Sequence, residues 1–398
     1  MNRIVFAMLG AMMIVAPIEA EKFRFSYEKG ERYKIHSQVD ESVYINGVYS
    51  HRADILNKIS IEITESENGA GYLNAWFQTS ERSFNSNSVY EWSRDYYSEF
   101  WRDEFGAYEI DDSYFMPVVR SVPRFPERDM EPGDTWSAPG SEVHDFRDNF
   151  GIPEAFHFPI QVSYTYAGEA NFDGRDFGLI QISYTVFYKQ NRAFKAQMYP
   201  VRITGSSEQR LYWDFEAGRP HHYSEEFDFI FAFNTGDTVE YIGTAEATVR
   251  ATAAMNKEQV AAEIRDRLAD SSVEDTEVTV DDEGVTVSLE DIQFLPDSAV
   301  LVPEELDKLK IIAEILIRYP DRDIAITGHT AMAGTAAGRQ KLSEERARAV
   351  GNYLLKLGAR DASQITARGM GGREPVADNS TEEGMRRNRR VEIKILEN

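Results

Sequence analysis

The chain has 398 residues, with 67 Asp or Glu against 43 Lys or Arg, a formal net charge of −24 and no cysteine. The surplus of carboxylates repels polyanions over most of the surface, which excludes nucleic-acid tracking and disfavours an anionic lipid surface. The missing thiols exclude disulfide frameworks, thiolate metal sites, cysteine nucleophiles and an acylated N-terminal cysteine, while 42% hydrophobic residues supply material for the cores of two or three domains.

Residues 1–20 read as an address: Asn2-Arg3 precede an apolar run from Ile4 to Ala16, too short for a membrane span, and small Ala20 suits the position before a cut. A secretory signal peptide is expected there, which places the mature chain in the periplasm or at the periplasmic face of the outer membrane. From Phe23 to about Val249 the pattern has period two, as in Ile59-Ser60-Ile61-Glu62-Ile63 and Phe227-Asp228-Phe229-Ile230-Phe231. This puts apolar side chains on one face of successive strands. Asn46-Gly47, Asn68-Gly69, Asp173-Gly174 and Asn234-Thr235-Gly236 mark the turns between them. The proline-rich stretch Pro117 to Pro159 is expected to be an irregular connection between two β-rich domains or halves, 21–125 and 126–250. An antiparallel sandwich or curved half-barrel satisfies this pattern, and so does a transmembrane barrel. Ile180 to Tyr188 and Tyr223 to Phe233 are long enough to cross a membrane, whereas Tyr33 to Val39 and Leu211 to Phe215 look too short or too polar.

At Ala251 the period changes to that of helices. Residues 256–269 place Val260, Ala261, Ile264 and Leu268 on one face behind an Asn256 cap. A hairpin follows, Glu277 to Val280 and Val285 to Leu289. A second helix enters at Pro303 with Leu306, Leu309, Ile312, Ala313 and Leu316 facing inward. A strand at Ile324 to Thr327 leads to Gly328-His329-Thr330, and a third helix, with Leu342, Val350, Tyr353, Leu354 and Leu357 inward, ends at Gly358. Strands near Ile365 to Ala367 and Arg390 to Leu396 complete an α/β domain over 251–398, a mixed sheet with helices on one side. Residues 339–398 hold 13 basic and 9 acidic side chains, a local cationic excess in an acidic protein.

Gly328-His329-Thr330, Gly334, Leu342-Ser343-Glu344-Glu345-Arg346-Ala347, Gly369-Met370-Gly371 with Pro375, and Asn388-Arg389-Arg390-Val391-Glu392-Ile393 occur in that order, preceded by Ile292-Gln293-Phe294 and Asp297-Ser298. This series resembles the OmpA-like C-terminal domain family over about 256–398. The resemblance implies a non-enzymatic module without cofactor that holds peptidoglycan through a stem-peptide residue, with envelope proteins as further partners. It assigns Arg346 and Arg389 to the ligand carboxylate and Thr330 to a polar loop contact. A zwitterionic amino-acid centre asks for a guanidinium fork and an acceptor carboxylate. The sequence departs from the family at the acceptor: the family's Asp after Gly-His-Thr is Ala331, and a position that is normally Asn is Arg339. Arg339 and Arg346 stand two helical turns apart and are expected to share a face, which favours a carboxylate and discourages an ammonium. Two readings stay open: retained wall binding through a modified pocket, or a domain that has lost it and serves as a periplasmic scaffold.

Blander readings apply elsewhere. His329 is expected to brace a loop. His144-Asp145 and His221-His222 have no third ligand at a supporting spacing, and Asp111-Asp112 and Asp281-Asp282-Glu283 lack an ordered calcium loop, so no metal site is expected. No Gly-x-Ser-x-Gly elbow is present, and acid pairs among 67 carboxylates are uninformative, so no enzyme is expected. Trp76, Trp92, Trp101, Trp136 and Trp213 suit either a ligand groove or, more economically, core packing.

Overall fold

A computed structural model describes residues 20–397 apart from 84–85, 192, 252–253, 272, 274, 293 and 295–297. The signal-peptide run, Gln293 and Asp297 lie outside the described residues. The N-terminal region holds twelve strands: β1 (Arg32–Ile45), β2 (Val48–Glu67), β3 (Ala70–Ser83), β4 (Tyr90–Arg102), β5 (Tyr108–Ile110), β6 (Val119–Arg120), β7 (Thr135–His144), β8 (Phe156–Phe172), β9 (Arg175–Lys189), β10 (Pro200–Asp214), β11 (Arg219–Phe233) and β12 (Thr238–Ala251). Apart from β5 and β6, which stand at the two edges, consecutive strands pair antiparallel, and β1 also pairs with β12 from Tyr33↔Ala251 to Ile45↔Val239. Residues 21–125 and 126–250 therefore form one open sheet in the order β5-β4-β3-β2-β1-β12-β11-β10-β9-β8-β7-β6.

The sheet is curved rather than split into two stacked layers. Residues of β4 on its inner face meet the far side of the curve: Arg94 and Tyr96 donate to Asp145, just beyond β7. The segment 20–31 runs through the concavity. There Phe25 lies edge-on to Trp213 of β10 with ring centroids 4.9 Å apart, and the Arg102 guanidinium of β4 sits 4.0 Å from the Phe25 ring. Each buried aromatic removes a large apolar area from water, and the tilted ring contacts add to that gain. The outer face of β8–β12 carries Ser163, Gln181, Ser183, Glu208, Arg210, Glu226 and Glu246, while Tyr164, Ile182, Ile203 and Trp213 face the core. That is the reverse of a lipid-facing barrel, whose outer band is apolar.

Three expectations for this region change. β1 and β10 are 14 and 15 residues long, not short, because pairing on both sides carries them through polar positions that face outward. The Pro117 to Pro159 stretch contains β7, ten residues paired with β8 as far as His144↔Phe156, and a one-turn helix α1 (Arg147–Phe150). Trp136 belongs to that strand and stacks on Tyr164 at 5.0 Å.

The C-terminal domain follows the expected order with one helix added: α2 (Lys257–Asp270), β13 (Thr276–Val280), β14 (Gly284–Glu290), α3 (Pro303–Leu316), β15 (Ile324–His329), α4 (Ala336–Lys356), β16 (Ile365–Gly371), the added α5 (Glu382–Asn388) and β17 (Arg390–Leu396). Its strands pair in the order β13-β14-β17-β15-β16, with β15 and β16 parallel. Asn256 caps α2 by accepting from Gln259 N, and Gly358 beyond α4 takes φ +70, a conformation that suits glycine after a helix end. Two details differ from the expected pattern. In α3 it is Glu305, not Leu306, that is buried beside Leu309 and Ile312. The inner face of α4 is made of small groups, Ser343, Ala347 and Gly351, with Val350 and Leu354, whereas Leu342, Tyr353 and Leu357 are only half-buried. Those small groups let α4 lie close on the sheet: a Cβ on Gly328 of β15 would stand 2.2 Å from Ser343 O.

The two regions share a buried boundary. Tyr90 and Glu91 of β4 pair in parallel with Thr366 and Ala367 of β16. Val89 is fully buried in the C-terminal core, and its N–H donates to Asn352 Oδ1 at 2.9 Å. Asp323, 1% exposed at the foot of β15, lies 3.5 Å from Lys34 Nζ, 3.3 Å from Lys58 Nζ and 3.2 Å from His36 Nε2 on the outer face of β1 and β2. Burial pushes the Asp323 carboxyl up, but Lys58, His36 and Lys34 outweigh it and hold the carboxyl well below the usual range.

Candidate functional site

The cationic segment converges at one end of the C-terminal sheet. β14 delivers Asp291 at its exit, in a left-handed turn of φ +52, a conformation that Asp tolerates better than most residues. Phe294, two residues past Ile292, is 9% exposed and bridges to Leu301. Above it, the Arg346 guanidinium of α4 sits 4.8 Å from the Phe294 ring centroid, a cation–π contact. Arg346 Nε is buried without a hydrogen-bond partner, and among the described residues no carboxylate forms an ion pair with this side chain. Burial and then the neighbouring Arg389 charge lower the Arg346 pKa. Arg389, at the end of α5, reaches Asp291 Oδ1 at 3.4 Å with its side chain 40% exposed. Among the described residues the cluster therefore sets two guanidinium groups against one carboxylate, with one guanidinium resting on an aromatic face.

The surrounding loops are held by buried hydrogen bonds. Ser343, fully buried, donates to Gln340 O at 2.7 Å and accepts from Gly371 N at 2.9 Å, which ties α4 to the end of β16. Asn388, 1% exposed, accepts from Val376 N and Ala377 N and donates to Ala377 O, so it fastens the loop that precedes α5. Arg390 is 4% exposed and pairs with Glu392, which also faces His329 Nε2 at 3.5 Å. Burial raises the Glu392 pKa, but His329 and Arg390 outweigh it and bring it down to about 2. In Asn388-Arg389-Arg390 the first and third residues are thus structural, and only Arg389 is open to a ligand.

Thr330 directly follows β15, with its N–H donating to Gly371 O at 2.8 Å and its Oγ1 buried without a partner. Ala331 is 6% exposed, so position 331 contributes only a methyl group. Arg339 stands apart from Arg346: its Nη1 donates to Gly334 O at 2.6 Å and its side chain packs beside Gly372. The charge that reaches Arg346 is that of Arg389. The residues of this site that patterning missed are Asp291 and the role of Phe294's ring. A lone Asp closing a strand carries no pattern of its own; its value comes from α5, which brings Arg389 to it across 98 residues of sequence.

The chain matches the OmpA family over residues 293–389. That segment is an OmpA family domain. It holds Arg346, Arg389, Thr330 and Phe294 of the cluster. The chain is similar to outer membrane porin F of Pseudomonas fluorescens, 41% identical over 105 residues, 26% of this chain and 32% of that protein. It is also similar to the peptidoglycan-binding protein ArfA of Mycobacterium bovis, 36% identical over 104 residues, 26% of this chain and 32% of that protein. Among solved structures, the peptidoglycan-associated lipoprotein from Burkholderia pseudomallei is 33% identical, covering 27% of this chain and 87% of that one, with a TM-score of 0.25. The chain spans about a third of the length of these curated relatives. By name they are an outer membrane porin and a peptidoglycan-binding protein.

The remaining candidates fall into packing roles. Among the described residues no group of three or more His, Asp or Glu is placed to hold a metal. His144 bonds Glu142 and stacks on Phe158, His221 stacks on Phe177, and His222 stacks on Phe172. Asp281 caps the β13–β14 turn and pairs with Lys394. Trp213 is core, and Trp92 donates to Asp95.

Proposed function

We propose that this chain is a non-enzymatic cell-envelope protein that holds peptidoglycan noncovalently through its OmpA family domain. Residues 1–20 are its export signal, 21–125 and 126–250 are the two halves of its β-rich region, and 251–398 is the wall module, working in the periplasm or at the periplasmic face of the outer membrane. The observation that carries this reading is Arg346: a half-buried guanidinium on an aromatic face, without a carboxylate partner among the described residues, beside a second guanidinium. A stem-peptide carboxylate satisfies both, and charge-assisted hydrogen bonds of this kind are roughly twice as strong as neutral ones. Thr330 offers its unpartnered hydroxyl at the adjoining loop. The ligand's ammonium loses the acceptor that Ala331 lacks, and Asp291, held beside Arg389, is the carboxylate left to meet it. The names of the relatives, a peptidoglycan-binding protein and a peptidoglycan-associated lipoprotein, support the same ligand class.

Co-sedimentation of the mature chain with purified sacculi tests the reading. Wild type is expected to bind saturably, Arg346→Ala at least about tenfold more weakly, since truncating one partner of a buried charge pair costs roughly 2–5 kcal/mol. Ala331→Asp is expected to strengthen binding to wall whose cross-linking residue carries a free ammonium. If wild type stays in the supernatant and only Ala331→Asp sediments, the domain is a scaffold that has lost the wall.

A further inference from the structure

The outer face of β3 and β4 carries a regular ladder that none of the foregoing uses. Register pairs Tyr72 with Trp101, Asn74 with Glu99, and Trp76 with Tyr97. Two residues further on, Gln78 pairs with Asp95, so an aromatic pair alternates with an amide–carboxylate pair twice over. One ring pair is open to solvent, Trp76 being 49% exposed and Tyr97 43%, while Tyr72 and Trp101 are half-buried. Both ring pairs stand as open V shapes, Trp76–Tyr97 with centroids 6.2 Å apart at 51° and Tyr72–Trp101 5.2 Å apart at 50°. The pairs are four residues apart along straight strands, about 13 Å at the usual rise.

Three further observations define the chemistry. Glu99 accepts from Tyr97 Oη at 3.2 Å, and among the described residues it has no cationic partner. Burial and then the Glu99 charge raise the Tyr72 and Tyr114 phenols above their ordinary value. Asn74 Oδ1, between the two ring pairs, is buried beneath them without a hydrogen-bond partner. A surface of π-faces interrupted by planar hydrogen-bonding groups is matched by a molecule that is apolar on its faces and hydroxyl-bearing on its edges. That describes a saccharide chain. The carboxylates reject polyanionic polysaccharides and leave uncharged ones. The charged Glu99 in the middle row also opposes insertion of this face into hydrocarbon.

The platform runs into the boundary with the OmpA family domain. β4 begins by pairing with β16, and Arg368 of β16 acts electrostatically on Asp95 of the last row. A chain lying along β3 and β4 therefore leads towards the module that carries Arg346. We propose that this ladder binds the glycan strand of the wall, an uncharged polymer of N-acetylated amino sugars, beside the module that holds its peptide. The choice of wall glycan as occupant rests on the proposed wall association; the sugar-binding chemistry rests on the ladder.

The test is titration of the full mature chain with tetra-N-acetylchitotetraose, a glycan without peptide, followed by tryptophan fluorescence and calorimetry. Saturable binding is expected. Trp76→Ala with Tyr97→Ala should weaken it at least tenfold, Trp76→Phe should retain most of it, and circular dichroism should be unchanged in both. Arg346→Ala should leave chitotetraose binding intact while weakening sacculus sedimentation about tenfold, so the two sites fail independently. Absence of saturable binding, or wild-type affinity in the Trp76→Ala, Tyr97→Ala variant, overturns the proposal. Equal binding of cellotetraose overturns the assignment to an N-acetylated glycan, and an equal tryptophan response to phosphatidylcholine vesicles replaces it with a lipid surface.

Discussion

Replacing Asp323 by Asn removes the anion that Lys34, Lys58 and His36 share while keeping the side-chain shape. Asp323 is 1% exposed, and the side chains of Lys34 and Lys58 are 8% and 5% exposed, so water cannot take over the solvation of the two ammonium groups left behind. Breaking a buried ion pair by deleting one partner costs about 3–5 kcal/mol. The backbone bond from Leu396 N to Asp323 O, 2.9 Å, survives the substitution, so the loss falls on the docking of the β-rich sheet against the OmpA family domain rather than on β15. Urea denaturation read by hydrogen exchange in β1 and β2 should show those amides losing protection before the core of the C-terminal domain. A companion variant, Lys34→Met with Lys58→Met and Asp323→Leu, should recover most of the loss, because an apolar replacement of a whole buried cluster is often neutral or stabilising. A shift below about 1 kcal/mol for Asp323→Asn, or an apolar variant no better than it, would refute a sealed interface, since only access to water makes the deletion that cheap. The pH dependence has a definite sign. The Asp323 carboxyl is depressed in the folded state, so its contribution is full above the unfolded value of about 3.9 and fades as pH falls below it.

Gly328→Ala would place a Cβ 2.2 Å from Ser343 O, backbone that cannot swing aside; a loss of about 1–3 kcal/mol is expected in thermal denaturation, as for other overpacked contacts. Asn388→Ala strands two N–H groups and a carbonyl of residues 376–377, and at about 1–3 kcal/mol for each buried group left unsatisfied it should loosen the 376–380 loop, measurable as faster amide exchange there. Glu392 has its pKa lowered to about 2 by His329 and Arg390 against the opposing effect of burial. Its contribution is complete above the ordinary value of about 4.3 and is lost as pH falls through 2, so the stability gap between wild type and Glu392→Gln should be constant from pH 7 to 5 and close between pH 4 and 2.

Much of the C-terminal domain was legible from local rules. Asn256 before an amphipathic run, Pro303 opening a helix and Gly358 closing one each act within a turn or two of themselves, and each appears in the structure where the pattern puts it. α5 escaped because Glu382–Asn388 has only a Thr381 cap and no apolar stripe; it is held from outside, by Asn388 and by Arg387 pairing with Glu290. Glu305 displaced Leu306 from the α3 core for a related reason: the helix face is chosen by what packs against it. At the site, motif order located Arg346 and Arg389, but the distance along the helix could not separate Arg339 from Arg346. The turn at Gly334 takes up Arg339, and Phe294 takes up Arg346.

Alternation by two and the shift to a helical period near Ala251 are written in neighbouring residues, because strand faces and helix stripes repeat every few positions; that much the sequence alone determined. Long-range partners are not written there. The pairing of β1 with β12 joins residues about two hundred apart, and Lys34 meets Asp323 across 289. Trp76 and Trp213 are the same residue type on strands of similar pattern, yet one is solvent-facing and the other fully buried. Curvature of the sheet and the segment 20–31 running through its concavity made that difference, since a side chain's exposure depends on what the rest of the chain brings to its face.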